Sequence, residues 1–374
     1  MKRIGHLYEK IVSMENLMLA DEKARKGKTK TYGVMTHDKN REANLAALHE
    51  ALVSKTYRTS DYEVFTVFEP KERIIYRLPY YPDRIVHHAI MNILEPIWVK
   101  TFTYNTYSCV KGRGIEGCAR RVSAIIKEFE GRPLYCLKID IRKYYPSIRH
   151  SVLKAQVRKK IKDQDLLWLL DEIICSVAMD EVGHPLEGVV KEDEETHGLP
   201  IGNYLSQYLA NLCLCYFMHY VNENMAEDVQ KALGLTEKPK IECTEYADDI
   251  VFYADNKKVL HKVMEIAKAQ IEDGLELKVK DNWQIFPIAE NVQDKHGRAL
   301  DYVGYKFYRQ QKLMRKSIKK NFCRKVARLN RKAEHMDDKA YKQEIASWLG
   351  WAQHSNSQHL LRTIINYKYY ESIL

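Results

Sequence analysis

The 374-residue sequence lacks the features that would place it in a membrane or outside the cell. No segment resembles the run of about 18 apolar residues that is needed to cross a bilayer. Met1-Lys2-Arg3 is followed by Ile4-Gly5-His6 rather than by a long apolar stretch, so no secretory signal is visible. We therefore expect a protein of the reducing cytoplasm, with its thiols reduced.

Motifs for structural zinc and for P-loop nucleotide binding are also lacking. The eight cysteines include no pair of Cys-x-x-Cys motifs, and Cys213 and Cys215 lie in an apolar segment that is typical of a core. Residues 27–33 contain Gly-Lys-Thr but no upstream glycine at the spacing of a P-loop. We interpret this segment as a basic loop that is either only solvated or in contact with RNA.

Acidic residues are fewer than basic ones. The chain has 60 Lys and Arg against 50 Asp and Glu, which gives a formal charge of +10 and a pI near 9.0. Such a balance favours a polyanionic partner and is compatible with nucleic acid, without choosing between RNA and DNA.

Three carboxylates form the first candidate site. Asp248 and Asp249 lie between two strand-like runs, at residues 243–246 and 250–253, which predicts a tight hairpin with acids at its tip. Acidic pairs at turns are usually only solvated. However, a third acid, Asp140, ends another apolar strand pattern that begins at residue 134.

Carboxylates in this number suit a pair of divalent cations. Two ions about 3.5–4 Å apart need bridging carboxylates, and such a pair can activate a 3′ hydroxyl and stabilise the leaving pyrophosphate in nucleotidyl transfer. The sequence therefore predicts Asp140 and Asp248 as the main metal ligands, with Asp249 as a third.

The order of the motifs resembles that of reverse transcriptases. Asp140-x-x-x-Tyr144-Tyr145 is similar to the first palm motif, residues 246–249 to the catalytic hairpin, and residues 302–305 to the primer-grip turn. Residues 198–207 occupy the place of the loop and helix that contact template and nucleotide. The resemblance covers nearly the whole chain and implies an α+β right-hand polymerase, with fingers, a palm of antiparallel sheet and helices, and a helical thumb.

The resemblance also implies a domain order, and the length suits it without large maturase or endonuclease modules. We expect an N-terminal helical extension over residues 1–60, fingers with entry to the palm over 61–135, a palm over 136–310 that includes a fingers segment at 151–200, and a thumb over 311–374.

The motif that begins at Ile201 separates groups within the family. Most bacterial reverse transcriptases have Gln-Gly-x-x-x-Ser-Pro there, whereas this chain has Ile201-Gly202-x-x-x-Ser206-Gln207. That version resembles the enzymes of diversity-generating retroelements, which copy a template repeat RNA with frequent misincorporation opposite adenine. Ile201 cannot hydrogen-bond as glutamine does, and we hypothesise that losing this polar check relaxes base selection.

The family implies further site residues. The metal set gains the backbone carbonyl of Ile141. Nucleotide contacts are expected from Lys71, Arg73, Tyr145, Ile201, Gly202 and Gln207. Nucleic-acid contacts are expected from Lys111, Arg113, Tyr302, Gly304, Lys316, Lys320 and Arg324.

Each of these groups has a structural alternative. Lys71 and Arg73 lie on a predicted hairpin over residues 62–75 that could be only a solvated basic hairpin. Tyr145 matches the steric gate against ribonucleotides, or is a buried core tyrosine. Lys111 and Arg113 flank glycines of a template-side loop, or of a plain turn.

Two helices are predicted from apolar spacing. Residues 83–98 have Ile85, Ala89, Ile93 and Ile97 at the spacing of a buried stripe. Residues 315–332 carry nine basic residues and no acid over a stripe of Ile318, Phe322, Val326 and Leu329. We interpret the second as a thumb helix on the template–primer duplex, with a merely solvated basic face as the alternative.

One family position departs from the pattern. Related enzymes often carry a lysine after the hairpin that protonates pyrophosphate, and Asp281 stands in its place here. Lys278 and Lys280 both remain candidates for that role.

The resemblance implies an RNA-directed DNA polymerase that uses two Mg²⁺ ions, with Mn²⁺ as an alternative. The implied partners are template RNA with its primer, deoxynucleoside triphosphates, and a small basic accessory protein, often pentameric. The alternatives are a reverse transcriptase of a retron or antiviral system, and an RNA-binding scaffold without polymerase activity.

Overall fold

A computed structural model describes residues 2–68, 72–186, 195–332, 335–366 and 368–369. Its helices, in chain order, are α1 Tyr8–Val12, α2 Met14–Arg25, α3 Tyr32–Asp38, α4 Arg41–Val53, α5 Ile85–Thr101, α6 Gly114–Glu128, α7 Tyr144–Ser147, α8 His150–Arg158, α9 Gln164–Ile174, α10 Tyr204–Glu223, α11 Met225–Leu233, α12 Lys257–Leu275, α13 Lys316–Asn330, α14 Asp338–Gln353 and α15 Gln358–Ile364. A π-helical turn, Tyr80–Arg84, precedes α5.

The strands form three sheets. They are β1 Glu63–Val67, β2 Arg73–Arg77, β3 Tyr135–Asp140, β4 Glu242–Tyr246, β5 Asp249–Ala254, β6 Gln284–Pro287, β7 Leu300–Tyr302, β8 Tyr305–Phe307 and β9 Lys312–Met314. β1 and β2 form an antiparallel hairpin, which confirms the one predicted over residues 62–75. The other sheets have the orders β4-β5-β3-β6 and β7-β8-β9, and the β4–β5, β3–β6, β7–β8 and β8–β9 pairs are antiparallel.

The chain divides into two compact units. The first contains Met1–Val110, Asp140–Met225 and Glu265–Asp281, and the second contains Lys111–Ile139, Ala226–Met264 and Asn282–Leu374. The four-stranded sheet thus belongs to the second unit, except that Asp140, the last residue of β3, is counted with the first.

The first unit is built around α5, which packs against α2 and α10. Ile85 and Ala89 are buried as predicted, but Ile93 and Ile97 are only half-buried. Ile90, Leu94 and Trp98 are fully buried in their place. A single stripe was the wrong expectation here, because a helix between two others buries more than one face.

The second unit combines the two larger sheets with the C-terminal helices. Phe322, Val326 and Leu329 of α13 are buried as the spacing predicts. Phe322 stacks on Trp348 of α14, with ring centroids 6.1 Å apart. The predicted α+β class with an antiparallel sheet is confirmed and is consistent with a right-hand polymerase.

Cys213 and Cys215 are buried in α10, which confirms their predicted core position. Across the described ranges, no helix combines the length and the apolar character that a membrane span requires.

Candidate active site

The predicted acidic hairpin is present in the second unit. Tyr246 pairs with Asp249 at the ends of β4 and β5, which leaves Ala247 and Asp248 as the two-residue tip. Ala247 has a φ of +57°, a left-handed conformation that costs a non-glycine residue about 1–2 kcal/mol. The half-buried Asp248 is thus presented by a strained turn, and strain of this kind clusters at functional sites.

Asp249 is held through its side chain and its backbone. Its Oδ2 atom lies 3.1 Å from Nζ of Lys138 on β3. The hydroxyl of Tyr302 donates to the Asp249 carbonyl over 3.0 Å and to the Thr244 carbonyl over 3.3 Å. Tyr302 itself is fully buried. Tyr302, which was predicted in the primer-grip turn, therefore stabilises the hairpin from the interior of the unit.

The turn after Tyr302 is strained as well. Val303 has a φ of +40° and Gly304 a φ of +85°, and a β-branched residue at positive φ is a genuine outlier. A Cβ at Gly304 would lie 2.5 Å from the ring of Trp351 and 2.9 Å from Cδ1 of Ile318. Only glycine fits this position, because both the conformation and the close packing exclude a side chain.

The remaining basic residues predicted in the second unit lie on two elements. Lys316, Lys320 and Arg324 are exposed on one face of α13. Within the described chain they form no ion pair, whereas the neighbouring Lys325 pairs with Glu344. Lys111 is exposed, and Arg113 is half-buried at the N-cap of α6. The row of exposed cations on α13 suits a phosphate backbone.

The third carboxylate, Asp140, lies in the first unit beside Lys280. Nζ of Lys280 is 2.6 Å from Asp140 Oδ2, and the Lys280 backbone N–H donates to the Asp140 carbonyl over 2.9 Å. The other oxygen, Oδ1, is buried and has no hydrogen-bond partner in the part of the chain that is described. An acceptor left in this state suits a cation.

Ile141 is fully buried and pairs with Val279 in an antiparallel bridge. The bonds of this bridge run from Arg142 N–H to the Lys278 carbonyl and from Lys280 N–H to the Asp140 carbonyl. In such a pattern the carbonyl of the central residue points away from its partner strand. The carbonyl of Ile141 is therefore not used by this pairing.

The donor chemistry fits Mg²⁺, which prefers carboxylate and carbonyl oxygens. Within the described ranges, however, no three His, Cys, Asp or Glu residues are grouped closely enough to form a complete metal site. Two of the three predicted carboxylates are instead paired with lysines.

Tyr145 and its neighbour Tyr144 differ in burial. Tyr144 is 3% exposed, and its hydroxyl donates to the Ala210 carbonyl over 2.6 Å. Tyr145 is half-buried and packs edge-on against Tyr144. The core tyrosine is thus Tyr144, and Tyr145 keeps an accessible ring.

Ile201 and Gly202 lie against the second strand of the fingers hairpin. The Ile201 carbonyl accepts from Tyr76 N–H over 2.8 Å, and a Cβ at Gly202 would come within 3.0 Å of Ile75 and of the Tyr76 carbonyl. Ile201 lines a cavity of about 250 Å³ together with Arg73 and Lys143. Gln207 is exposed on α10. Lys71 lies outside the described residues.

The structure also reveals a cationic cluster that the sequence did not single out. Burial lowers the pKa of Arg84, and burial followed by the charge of Arg84 lowers the pKa of Lys28. Burial, with the charges of Arg84, Lys28 and Lys23, lowers the pKa of His88 to about 4. The His88 ring stacks on Tyr204, with centroids 5.0 Å apart. The four-residue spacing of Arg84 and His88 was the available signal for this cluster, because residues four apart are neighbours on one face of a helix.

Comparisons with known proteins agree with the motif order. The sequence profile of the family described as "Reverse transcriptase (RNA-dependent DNA polymerase)" matches residues 69–306, more than half of the chain. Protein YkfC of Escherichia coli (strain K12) is 25% identical over 222 residues, which are 54% of this chain and 56% of that protein. The chain thus spans about half the length of this curated relative.

Among solved structures, the chain is similar to the truncated apo telomerase of Candida tropicalis, with a TM-score of 0.43 and 14% identity over 67% of this chain and 53% of that one. It is also similar to the telomerase of Candida albicans in complex with a fragment of telomeric RNA, with a TM-score of 0.44 and 11% identity over 79% of this chain and 56% of that one. On the match of the family profile, the chain belongs to the reverse transcriptase family.

Proposed function

We propose that this chain is an RNA-directed DNA polymerase that extends a primer on an RNA template with deoxynucleotides. The observation that carries the proposal is the strained Ala247-Asp248 tip, which presents one carboxylate directly beside a second. A strained acidic turn raises the free energy of the folded chain, so its presence favours a functional role. Asp140, with its unsatisfied buried oxygen, supplies the third acid of the family motif.

Asp140, Asp248 and Asp249, with the carbonyl of Ile141, would hold two Mg²⁺ ions, or Mn²⁺ in their place. When bound, such ions activate the 3′ hydroxyl and stabilise the leaving pyrophosphate. Arg73, together with Lys71, would bind the triphosphate through charge-assisted hydrogen bonds. Tyr145 would pack under the sugar and exclude a 2′ hydroxyl, which its half-buried ring allows.

Lys280 is the better candidate for the proton donor to pyrophosphate. Its ammonium group lies 2.6 Å from Asp140, so it would lie next to the metal ions that Asp140 is proposed to hold and to the phosphates bound to them. For Lys278, the observed contact is one of its backbone carbonyl, with Arg142. A general acid must be within hydrogen-bond reach of the group that it protonates, and the position of Lys280 meets that requirement more directly.

We further propose that the enzyme serves a diversity-generating retroelement. It would copy a template repeat RNA, misincorporate opposite adenines, and work with a small basic pentameric accessory protein. The support is the Ile201-Gly202-x-x-x-Ser206-Gln207 motif, in which an alkyl side chain lines the cavity beside Arg73. A branched alkyl group can pack against a base pair but leaves no polar group unpaired at a mismatch.

The nucleic acid would lie against basic side chains. Lys316, Lys320 and Arg324 would contact the template–primer duplex near the turn of Tyr302 and Gly304. Lys111 and Arg113, and Lys28 with Arg84, would contact phosphates of the template. None of the eight cysteines, all in the described part of the chain, forms a disulfide, which supports a reducing cytoplasm as the compartment.

The test is primer extension on an RNA template with Mg²⁺ or Mn²⁺. We expect wild type and the control Asp255→Ala to extend the primer, because Asp255 is an acid just beyond the far end of β5, and Asp248→Ala to fail. Sequencing should place the errors at template adenines. Errors spread over all bases would favour a retron or defence enzyme, and RNA binding without extension would favour a scaffold.

A further inference from the structure

Lys138 connects the acidic hairpin to the neighbouring sheet. It lies on β3 with 30% of its side chain exposed, and its Nζ is 3.1 Å from Asp249 Oδ2. The same ammonium group donates to the Asp301 carbonyl over 3.1 Å and lies 5.6 Å from the ring centroid of Tyr302. All of these residues belong to the second unit. The lysine therefore has three different partners that fix its position.

The partners of Lys138 are fixed in their turn. Nε of Arg315 donates to Asp301 Oδ1 over 2.7 Å, and the Arg315 N–H donates to the Gly304 carbonyl over 2.9 Å. Arg315 directly precedes α13. Tyr302, which follows Asp301, holds the backbone carbonyl of Asp249. The side chain of Asp249, through Lys138, and its backbone are thus both held by β7, and Arg315 links β7 to the start of α13.

A fixed ammonium group at a carboxylate oxygen opposes a metal ion there. The lysine occupies one oxygen of Asp249 and adds a positive charge that repels a second cation. It also reduces the repulsion between the adjacent carboxylates of Asp248 and Asp249 at a turn that is already strained.

We propose that Lys138 is a positioning residue that keeps Asp249 engaged and so weakens divalent-cation binding to the acidic hairpin in the absence of nucleic acid and nucleotide. The inference rests on the proposed function, since it assumes that the hairpin binds metal. Asp248 is then the principal ligand of the hairpin, and Asp249 becomes available only when Lys138 is displaced.

The experiment measures Mn²⁺ binding to the full chain by electron paramagnetic resonance, without nucleic acid or nucleotide. Lys240 offers a matched control, because its Nζ is 2.9 Å from Glu128, its side chain is 35% exposed, and it lies 5.0 Å from the ring centroid of Phe129. The variants are Lys138→Met, Lys138→Arg, Lys240→Met, Asp248→Ala and the double variant Lys138→Met with Asp249→Asn.

We expect Lys138→Met to lower the Mn²⁺ dissociation constant about tenfold, which is the scale on which a nearby cation changes the proton affinity of a carboxylate. Lys138→Arg, which keeps the positive charge, should retain the wild-type dissociation constant, and Lys240→Met should not change it. The double variant should lose the gain, because asparagine lacks the negative charge of the carboxylate that Lys138→Met releases. Equal values for Lys138→Met and Lys240→Met would overturn the proposal.

A second variant keeps the proposal testable if Lys138→Met does not fold. Asp249→Asn alone should weaken Mn²⁺ binding by less than about threefold, far less than Asp248→Ala, because Lys138 already occupies one oxygen of Asp249 and offsets its charge. Equal losses in the two variants would overturn the role of Lys138 and leave the metal site intact. Absence of Mn²⁺ binding in both the wild type and Lys138→Met would instead overturn the proposed function, and this inference with it.

Discussion

Both units contain a carboxylate paired with a lysine, but the two lysines are held differently. In the second unit, Lys138 has a carbonyl and a ring as further partners besides Asp249. In the first unit, Asp140 is the one side-chain contact of Lys280 in the described structure. A lysine with several partners is fixed, whereas one with a single partner can move to a phosphate. We infer that Lys138 positions the Asp249 carboxylate, and that Lys280 is able to move to a phosphate and donate a proton to it.

The same contrast extends to the neighbours of each pair. The first unit contains Tyr145, Ile201 and Arg73, which are expected to bind the nucleotide, as well as Asp140 and Lys280. The second unit contains the acidic hairpin, which the buried Tyr302 supports, and α13, whose exposed cations are expected to bind the duplex. Substitutions of Tyr145 or Ile201 should therefore change nucleotide choice, and those of the α13 cations should change nucleic-acid affinity.

The largest expected effect is a difference in extension rate between substitutions of the two lysine-paired carboxylates, Asp140 and Asp249. Asp140→Asn should lower the single-turnover rate of primer extension about a thousandfold, because it would remove one of the proposed metal ligands. Asp249→Asn should lower it about tenfold, because Lys138 is fixed beside that carboxylate by two further partners, whereas Lys280 has no further partner in the described structure and can leave Asp140. Equal losses would show that the lysine contacts do not distinguish the two acids.

The next effect concerns the reactive lysine. Lys280→Met should reduce kcat about a hundredfold, within the usual range for general acid catalysis, with little change in the KM for the deoxynucleotide. Lys278→Met is the matched control, two residues away, and should retain most of the activity. A loss that appears mainly in KM would mean that Lys280 only binds the triphosphate.

A change in sugar selection should follow from Tyr145. Tyr145→Ala should reduce the preference for deoxynucleotides over ribonucleotides by about tenfold to a hundredfold, because the ring no longer meets the 2′ hydroxyl. Competitive incorporation of both nucleotides on one template measures the ratio. Tyr145→Phe keeps the ring and should keep the preference. Unaltered selection in Tyr145→Ala would show that Tyr145 is not the steric gate.

The sequence predicted those parts of the site that depend on local pattern. The hairpin with Asp248 at its tip follows from strand-forming residues on both sides of a short acidic turn. The basic and apolar faces of α13 follow from helical spacing. Both elements are present, because each is specified by residues within about twenty positions of one another.

Features that depend on distant partners could not be predicted. Lys138 and Asp249 are 111 residues apart, and Lys280 and Asp140 are 140 apart, so no local spacing relates them. The buried face of α5 was misjudged because it depends on two neighbouring helices. The positive φ of Ala247 and Val303 was also beyond prediction, since neither residue favours that conformation and the surrounding structure imposes it.

A smaller effect should come from the cavity beside the fingers hairpin. Ile201→Gln should lower misincorporation opposite template adenine about tenfold, because an amide left unpaired at a mismatch penalises the wrong base. Sequencing of the extension products measures the error rate at each template base. Ile201→Val keeps an alkyl group and should leave the errors unchanged. Unchanged errors in Ile201→Gln would show that fidelity is determined elsewhere.

The smallest effect should appear on α13 and should leave nucleotide choice untouched. Replacing Lys320 and Arg324 by glutamine removes two exposed cations without an ion pair in the described chain, and should reduce the slope of log affinity against log salt by about 1.4–1.8 if each contacts a phosphate. Lys325→Gln is the control, because Glu344 already neutralises that lysine. A slope that changes equally in both would mean that α13 presents only a solvated basic face. If only the double variant reduces the slope and its error rate is unchanged, α13 binds the duplex and does not take part in base selection.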